Sequence, residues 1–173
     1  MERCKYLKQI NQINEHLFIS GFGPVTEQSL RSLGITCVVD ATNIPNRPRN
    51  GVDYVKVAVD DSEFGKLDVH FDSVADKIHE HAEQDGKTLV HCAAGISRSA
   101  ALCLVYLVKY QKLTLKDAYL TVKECRPMIC PNNGFWRQMI QYERKLTGAN
   151  TVTMIRGRFY REVPDVYFAD RKT

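Results

Sequence analysis

Short apolar runs with strand character alternate with longer stretches of helical periodicity along this chain, and turn residues separate them. Leu17-Phe18-Ile19 is a short β-type run closed by Gly21-Phe22-Gly23-Pro24. Thr26 stands as the N-cap of a short helix through Leu33, with Gly34 just past its end. Ile35-Thr36-Cys37-Val38-Val39 is rich in β-branched residues and predicts a central strand. Residues 43–51, with Pro45, Pro48, Arg47, Arg49 and three asparagines, form a loop, and Val52 to Val59 alternates as the next strand. After the polar loop Asp60 to Lys66, Val69 to Ala82 sets Val74, Ile78 and Ala82 on one helical face, with Phe71 and Ala75 alongside, and Gly86 ends it. Thr88-Leu89-Val90 reads as a strand. Ala100 to Tyr110 follows as a helix, apolar on nearly all sides through Leu107 and therefore buried. Thr114, with Asp117 three positions on, caps another helix that ends by Arg126-Pro127. A last helix runs from Asn133 to Leu146, closed by Thr147-Gly148, and a tail begins with strand-like Val152 to Ile155.

Strands alternating with helices imply an α/β fold with a central, mostly parallel sheet flanked by helices on both faces. At 173 residues the chain makes one domain, taken as residues 1–150 with its core at about 10–147, and a tail over 151–173 packed on it in part. Hydrophobic residues make up 44% and charged residues 25%, ordinary for a soluble domain, and the net charge of +4 comes without a basic block of the kind that binds nucleic acid. No run is long and apolar enough to span a membrane. Met1-Glu2-Arg3-Cys4-Lys5 carries neither a secretory h-region nor a myristoylation glycine, so the expected location is the cytoplasm, with the nucleus also open. Cysteines 4, 37, 92, 103, 125 and 130 then read as reduced thiols rather than a disulfide framework.

One stretch carries most of the chemistry. His91-Cys92-Ala93-Ala94-Gly95-Ile96-Ser97-Arg98-Ser99 lies between the strand at 88–90 and the helix from 100, so it forms a strand–turn–helix. A helix N-terminus aims free N–H groups and partial positive charge at the preceding turn, which makes an anion site. Arg98 adds a planar guanidinium suited to two phosphate oxygens. Cys92 opens that turn, in surroundings that favour a nucleophilic thiolate. Cleaving a phosphate ester needs a nucleophile on phosphorus, donors for the equatorial oxygens and a proton for the leaving oxygen. Cys92 fits the first role. Arg98 and the backbone of Ala93, Ala94, Gly95, Ile96 and Ser97 fit the second, with small side chains that let the backbone approach closely. The acid falls to Asp60 or Asp61, after the strand at 52–59, although either aspartate could simply end that strand.

His-Cys, five residues, Arg and Ser is the signature of the protein tyrosine phosphatase superfamily, and the chain resembles its small atypical dual-specificity phosphatases from about Ile10 to its end. Leu17-Phe18-Ile19-Ser20-Gly21, Arg126-Pro127 and Pro131-Asn132-Asn133-Gly134-Phe135 share in the likeness. Val163-Pro164-Asp165-Val166-Tyr167 is similar to the tail of the subgroup containing mitogen-activated protein kinase phosphatase 6. The resemblance implies a protein phosphatase acting on phosphotyrosine and phosphoserine or phosphothreonine through a phosphocysteine intermediate, in kinase signalling. It favours Asp61 as the acid, which lies 31 positions before Cys92, over Asp60. It gives the Ser99 hydroxyl a part in breaking down the intermediate, where a helix N-cap is the structural alternative. His91 would orient the loop or simply end its strand. Ser97 would hydrogen-bond within the loop. Asn132 matches the family's Pro-Asn, or else caps the last helix.

The loop lacks the lysines of relatives that act on phosphoinositides, and the implied pocket is shallow. No cofactor and no metal set is expected, since His70, His79 and His81 have no cysteine or carboxylate spacing beside them. The expected partners are phosphorylated proteins, mitogen-activated protein kinases among them, with Arg47 and Arg49 as docking candidates; the oligomeric state stays open. Cys125 and Cys130 are candidates for a redox pair with another thiol. The competing readings are a phosphoprotein-binding scaffold with little turnover, and a phosphatase of non-protein phosphate esters.

Overall fold

A computed structural model of the chain describes residues 6–45, 50–157 and 161–168; Arg47, Arg49 and Cys4 lie outside the described residues. The strands are β1 Asn11–Gln12, β2 Leu17–Ser20, β3 Cys37–Asp40, β4 Asp53–Lys56, β5 Thr88–His91, β6 Met154–Arg156 and β7 Glu162–Pro164. The helices are α1 Glu27–Leu33, α2 Phe71–Glu83, α3 Arg98–Lys109, α4 Leu115–Cys125 and α5 Asn133–Thr147. The main sheet runs β1-β2-β5-β3-β4, with only β1 antiparallel, and β6 and β7 form a separate antiparallel pair. The parallel sheet with helices on both faces is therefore present, with a short antiparallel edge that the sequence pattern did not announce.

Strand periodicity sorts the core into two halves. Leu17, Ile19, Val39 and Val90 point to one face, where α2 to α5 cover them. Phe18, Val38 and Leu89 point to the other, against Leu30 of α1 and Ile35. Helix α3 is buried from its first residue to Val108, as its all-round apolarity predicts. The central strands stay in step, Ile19 and Val39 both opposite Val90, and Ser20 and Asp40 both opposite His91. That register brings three carboxyl ends to one rim, where ligands bind in such sheets.

Helix α2 departs from the expectation at both ends. Val69 sits exposed in a 3₁₀ turn, Asp68–His70, that precedes the helix. At the other end the left-handed residue is Asp85 at φ 57°, not Gly86. The N–H of Gly86 donates to His81 O and that of Asp85 to Ala82 O, the paired bonds of a Schellman cap. Gly86 is needed for space, because a Cβ there would lie 2.6 Å from Thr36 Oγ1. Strand β4 is shorter than the alternation at 52–59 suggests; beyond it Val57 is buried and its N–H donates to Asp40 O. The caps at Thr26, Thr114 and Asn132 each accept from the expected backbone N–H. Buried Glu143 ties the chain after α5 to the core: its carboxylate accepts from Leu115 N, Thr151 N and Thr151 Oγ1.

Candidate active site

Cys92 follows β5 directly, and residues 92–97 curl into the N-terminus of α3. The thiol is buried, with Gly95 N–H donating to Sγ at 3.2 Å and Ser99 Oγ also at 3.2 Å. Ser99 lies inside the first turn of α3, so the N-cap alternative for it is set aside. The capping position belongs to Ser97, whose side chain makes no cap bond. Gly95 takes φ 70°, and a Cβ on it would lie 2.5 Å from the Ser20 carbonyl, so the loop packs on the end of β2 as only glycine allows. The N–H groups of Ala93, Ala94, Ile96 and Ser97 meet no backbone or side-chain acceptor among the described residues, and they belong to the loop that leads from the thiol into a helix N-terminus.

Arg98 is 8% exposed and reaches back over the loop, donating from Nη1 to Val59 O at 3.2 Å. Its Nε is buried and donates to no acceptor among the described residues, with Asp61 Oδ2 4.0 Å away. A buried guanidinium N–H without an acceptor is costly unless a ligand oxygen completes it.

The two adjacent aspartates part company here. Asp61 Oδ1 accepts from Ser97 Oγ at 2.7 Å and from Asn132 Nδ2 at 2.9 Å, while Ser97 Oγ accepts from Asn132 N–H at 3.1 Å. Asp60 turns away and accepts from Asn43 Nδ2. The folded chain thus brings Asp61, Ser97, Arg98 and Asn132 together and leaves Asp60 out. Asn132 does both things suggested for it, since its Oδ1 also accepts from Phe135 N–H to cap α5. Gln138 fixes the far side of the Asp61 loop, donating to Gly65 O and accepting from Leu67 and Asp68 N–H.

Sequence reasoning gave no role to Arg126, which is fully buried beneath the loop. Its guanidinium donates to Gly95 O at 2.7 Å, Ala94 O at 2.9 Å, Tyr6 O at 3.0 Å and Asn11 Oδ1 at 2.6 Å. Burial pushes it below the ordinary arginine value. The available signal was an arginine between an amphipathic helix and a proline, a place where solvated and buried arginines look alike. Asp40 is the second omission. It sits 3.8 Å from His91 Nε2 at the rim, and accepts from Thr42, Tyr54 and Lys56. Burial by itself would raise its carboxyl; those hydrogen bonds outweigh burial and hold it below the ordinary range.

Among the described residues, Cys37 and Cys103 are buried structural thiols. Burial pushes the Cys37 thiol up to about 11 and the Cys103 thiol well above its ordinary value. Every described cysteine is free, and Cys125 donates to carbonyls within its own helix. His79 stacks on Tyr110, and His81 bonds Thr36 and Asp53, so both are occupied in packing.

Residues 17–145 match the family model described as dual specificity phosphatase, catalytic domain. The chain is 50% identical to dual specificity protein phosphatase 14 of Homo sapiens over 161 residues, covering 91% of this chain and 80% of that protein. It is 45% identical to dual specificity protein phosphatase 18 of Mus musculus over 163 residues, covering 93% and 86% respectively. Among solved structures, human DUSP28 superposes with a TM-score of 0.75 at 31% identity, over 79% of this chain and 94% of that one. A mouse putative dual specificity phosphatase complexed with zinc tungstate gives a TM-score of 0.78 at 31% identity, over 82% and 90%.

Proposed function

This chain belongs to the dual specificity protein phosphatases and is a cysteine-based protein phosphatase, and from that premise we propose which of its residues perform each step. Cys92 Sγ attacks phosphorus as the ester P–O bond opens, and Asp61, protonated, gives its proton to the leaving oxygen. Arg98 and the N–H groups of residues 93–97 hold the three equatorial oxygens through this transfer. In the second step water attacks phosphorus, the Asp61 carboxylate takes its proton, and the Cys92 thiolate leaves with the Ser99 hydroxyl donating to it. Inorganic phosphate is released, and both side chains return to their starting states. His91 and Asn132 hold the two loops in place. The proposed substrates are phosphorylated signalling proteins of the cytoplasm, mitogen-activated protein kinases among them, which rests on the resemblance of the loop and tail sequences.

The observation that carries the assignment is the pair of hydrogen bonds from Ser97 and Asn132 to Asp61, which tie one carboxylate to the loop that surrounds Cys92. General acids contribute about 10²- to 10⁴-fold. Asp61→Asn is accordingly expected to lower kcat on phenyl phosphate about 10²-fold, while Asp60→Ala stays within about twofold of wild type. Steady-state hydrolysis by the three proteins tests this. Equal losses in both variants, or a loss only in Asp60→Ala, contradict the assignment.

A further inference from the structure

The chain beyond α5 takes part in none of these steps, yet it reaches the residues that do. Residues 130–132 bridge the two active loops. Cys130 N–H donates to Ile96 O at 2.9 Å, and Asn132 supplies the bonds to Ser97 and Asp61 already described. Tyr167, in the 3₁₀ turn Asp165–Phe168 that follows β7, touches this bridge at Cys130 and Pro131. Its hydroxyl accepts from Trp136 Nε1 at 2.8 Å and lies 3.4 Å from both Cys130 Sγ and Pro131 O, so its single proton serves one or the other. Its ring packs with its centroid 5.6 Å from that of Tyr119 and 5.8 Å from that of Trp136.

This placement is held from several directions. Asp165 N–H donates to Thr153 O, Thr153 Oγ1 donates to Asp165 Oδ2, and Asn133 Nδ2 donates to Glu162 O. Arg137 on α5 pairs with Glu162. Val166, next to Tyr167, is buried in the main core. The turn is thus fastened to α5 and to the start of the tail, and it presents one aromatic side chain to the Pro131 segment.

We propose that Tyr167 is a positioning residue for the general acid: it seats the Cys130–Asn132 segment so that Asn132 can orient the Asp61 carboxylate. The matched family domain ends at residue 145, so the catalytic apparatus draws on a side chain outside it. The physical reason is economy of contacts. Asp61 Oδ1 has two side-chain donors, Ser97 Oγ and Asn132 Nδ2, and Asn132 N–H also holds Ser97 Oγ. A small displacement of residues 131–132 disturbs both donors together, and displacements of that size are costly where geometry carries the chemistry. The proposal rests on the reading of Asp61 as the acid.

Leaving-group dependence separates positioning of an acid from general support of the fold. A dinitrophenyl leaving group departs without a proton, whereas phenolate needs one. The ratio of kcat/KM for phenyl phosphate over dinitrophenyl phosphate therefore reports proton donation in the first step, because kcat/KM does not contain the hydrolysis of the shared phosphocysteine, and it is unaffected by how much of the protein is folded. In the full chain, Tyr167→Ala is expected to lower this ratio about tenfold and Tyr167→Phe about threefold, fractions of the whole general-acid effect. The Phe variant carries the test alone if the Ala variant does not fold. In an Asp61→Asn background neither change should lower the ratio further, since coupled residues do not act additively. A ratio unchanged in both Tyr167 variants overturns the proposal, as does an equal drop with and without the Asp61 carboxyl. Failure of Asp61→Asn itself to lower the ratio would instead remove the reading beneath it.

Discussion

Replacing Cys92 by serine is expected to lower turnover of an aryl phosphate by at least about 10⁴-fold, the scale on which removal of a covalent nucleophile is felt. The atoms around Sγ explain why serine cannot substitute. Its near contacts are the Gly95 N–H and the Ser99 hydroxyl, two groups that stabilise an anion and neither of which is a base. A hydroxyl becomes a competent nucleophile only when a base within hydrogen-bond reach takes its proton. The phosphate cradle is built from backbone N–H groups and Arg98, and the substitution leaves them in place. Affinity for the ester, read by calorimetry with phenyl phosphate, should therefore stay within about tenfold of the wild-type KM while turnover disappears. Turnover that survives within tenfold would place the chemistry elsewhere.

Arg98→Lys is expected to cost about 10³-fold in kcat, with far-UV circular dichroism unchanged. The charge is kept, so any loss comes from geometry. Arg98 approaches the loop as a planar fork, with Nη1 anchored on Val59 O and the buried Nε aimed near Asp61. That arrangement pre-sets parallel donors for two oxygens of the transferring phosphoryl group. A lysine ammonium offers one compact charge on a flexible stem, and it cannot hold the Val59 carbonyl and two phosphoryl oxygens together. Loss of one preorganised donor typically costs about 10²- to 10³-fold, and here more than one goes. Steady-state kinetics on phenyl phosphate checks this, and a loss of less than about tenfold would mean that charge alone suffices.

The sequence made much of this legible because its signals were local. Short apolar, β-rich runs and capping residues located β2, β3, β5 and the helices α1, α4 and α5, since Thr26, Thr114 and Asn132 act on N–H groups three residues away. The phosphate loop was equally visible, because strand, glycine turn, arginine and helix are contiguous. Contacts made across the fold were the hidden part. Nothing near Arg126 in sequence tells that its side chain lies under Ala94 and Gly95 or meets Asn11. Asp60 and Asp61 are neighbours of identical type, so the local pattern leaves both open and only the family resemblance favours Asp61; in the fold, the turn that sends one to Asn43 and the other to Ser97 separates them. Asp85 in the left-handed position beside Gly86 shows a further limit. Composition favours glycine there, but the close approach of Thr36 uses the glycine for space instead. Tyr167 shaped the resemblance as part of a tail motif, and its contact with Pro131 spans 36 positions.

The central claim is that catalysis passes through a phosphoryl group on Cys92. The most direct test is rapid acid quenching of the wild-type enzyme during turnover of a ³²P-labelled aryl phosphate, followed by peptide mapping. The account predicts one labelled peptide, the one that contains Cys92, and no label in Cys92→Ser. Label on another residue, or steady turnover without a phosphoenzyme in a quench fast enough to resolve one turnover, would contradict it.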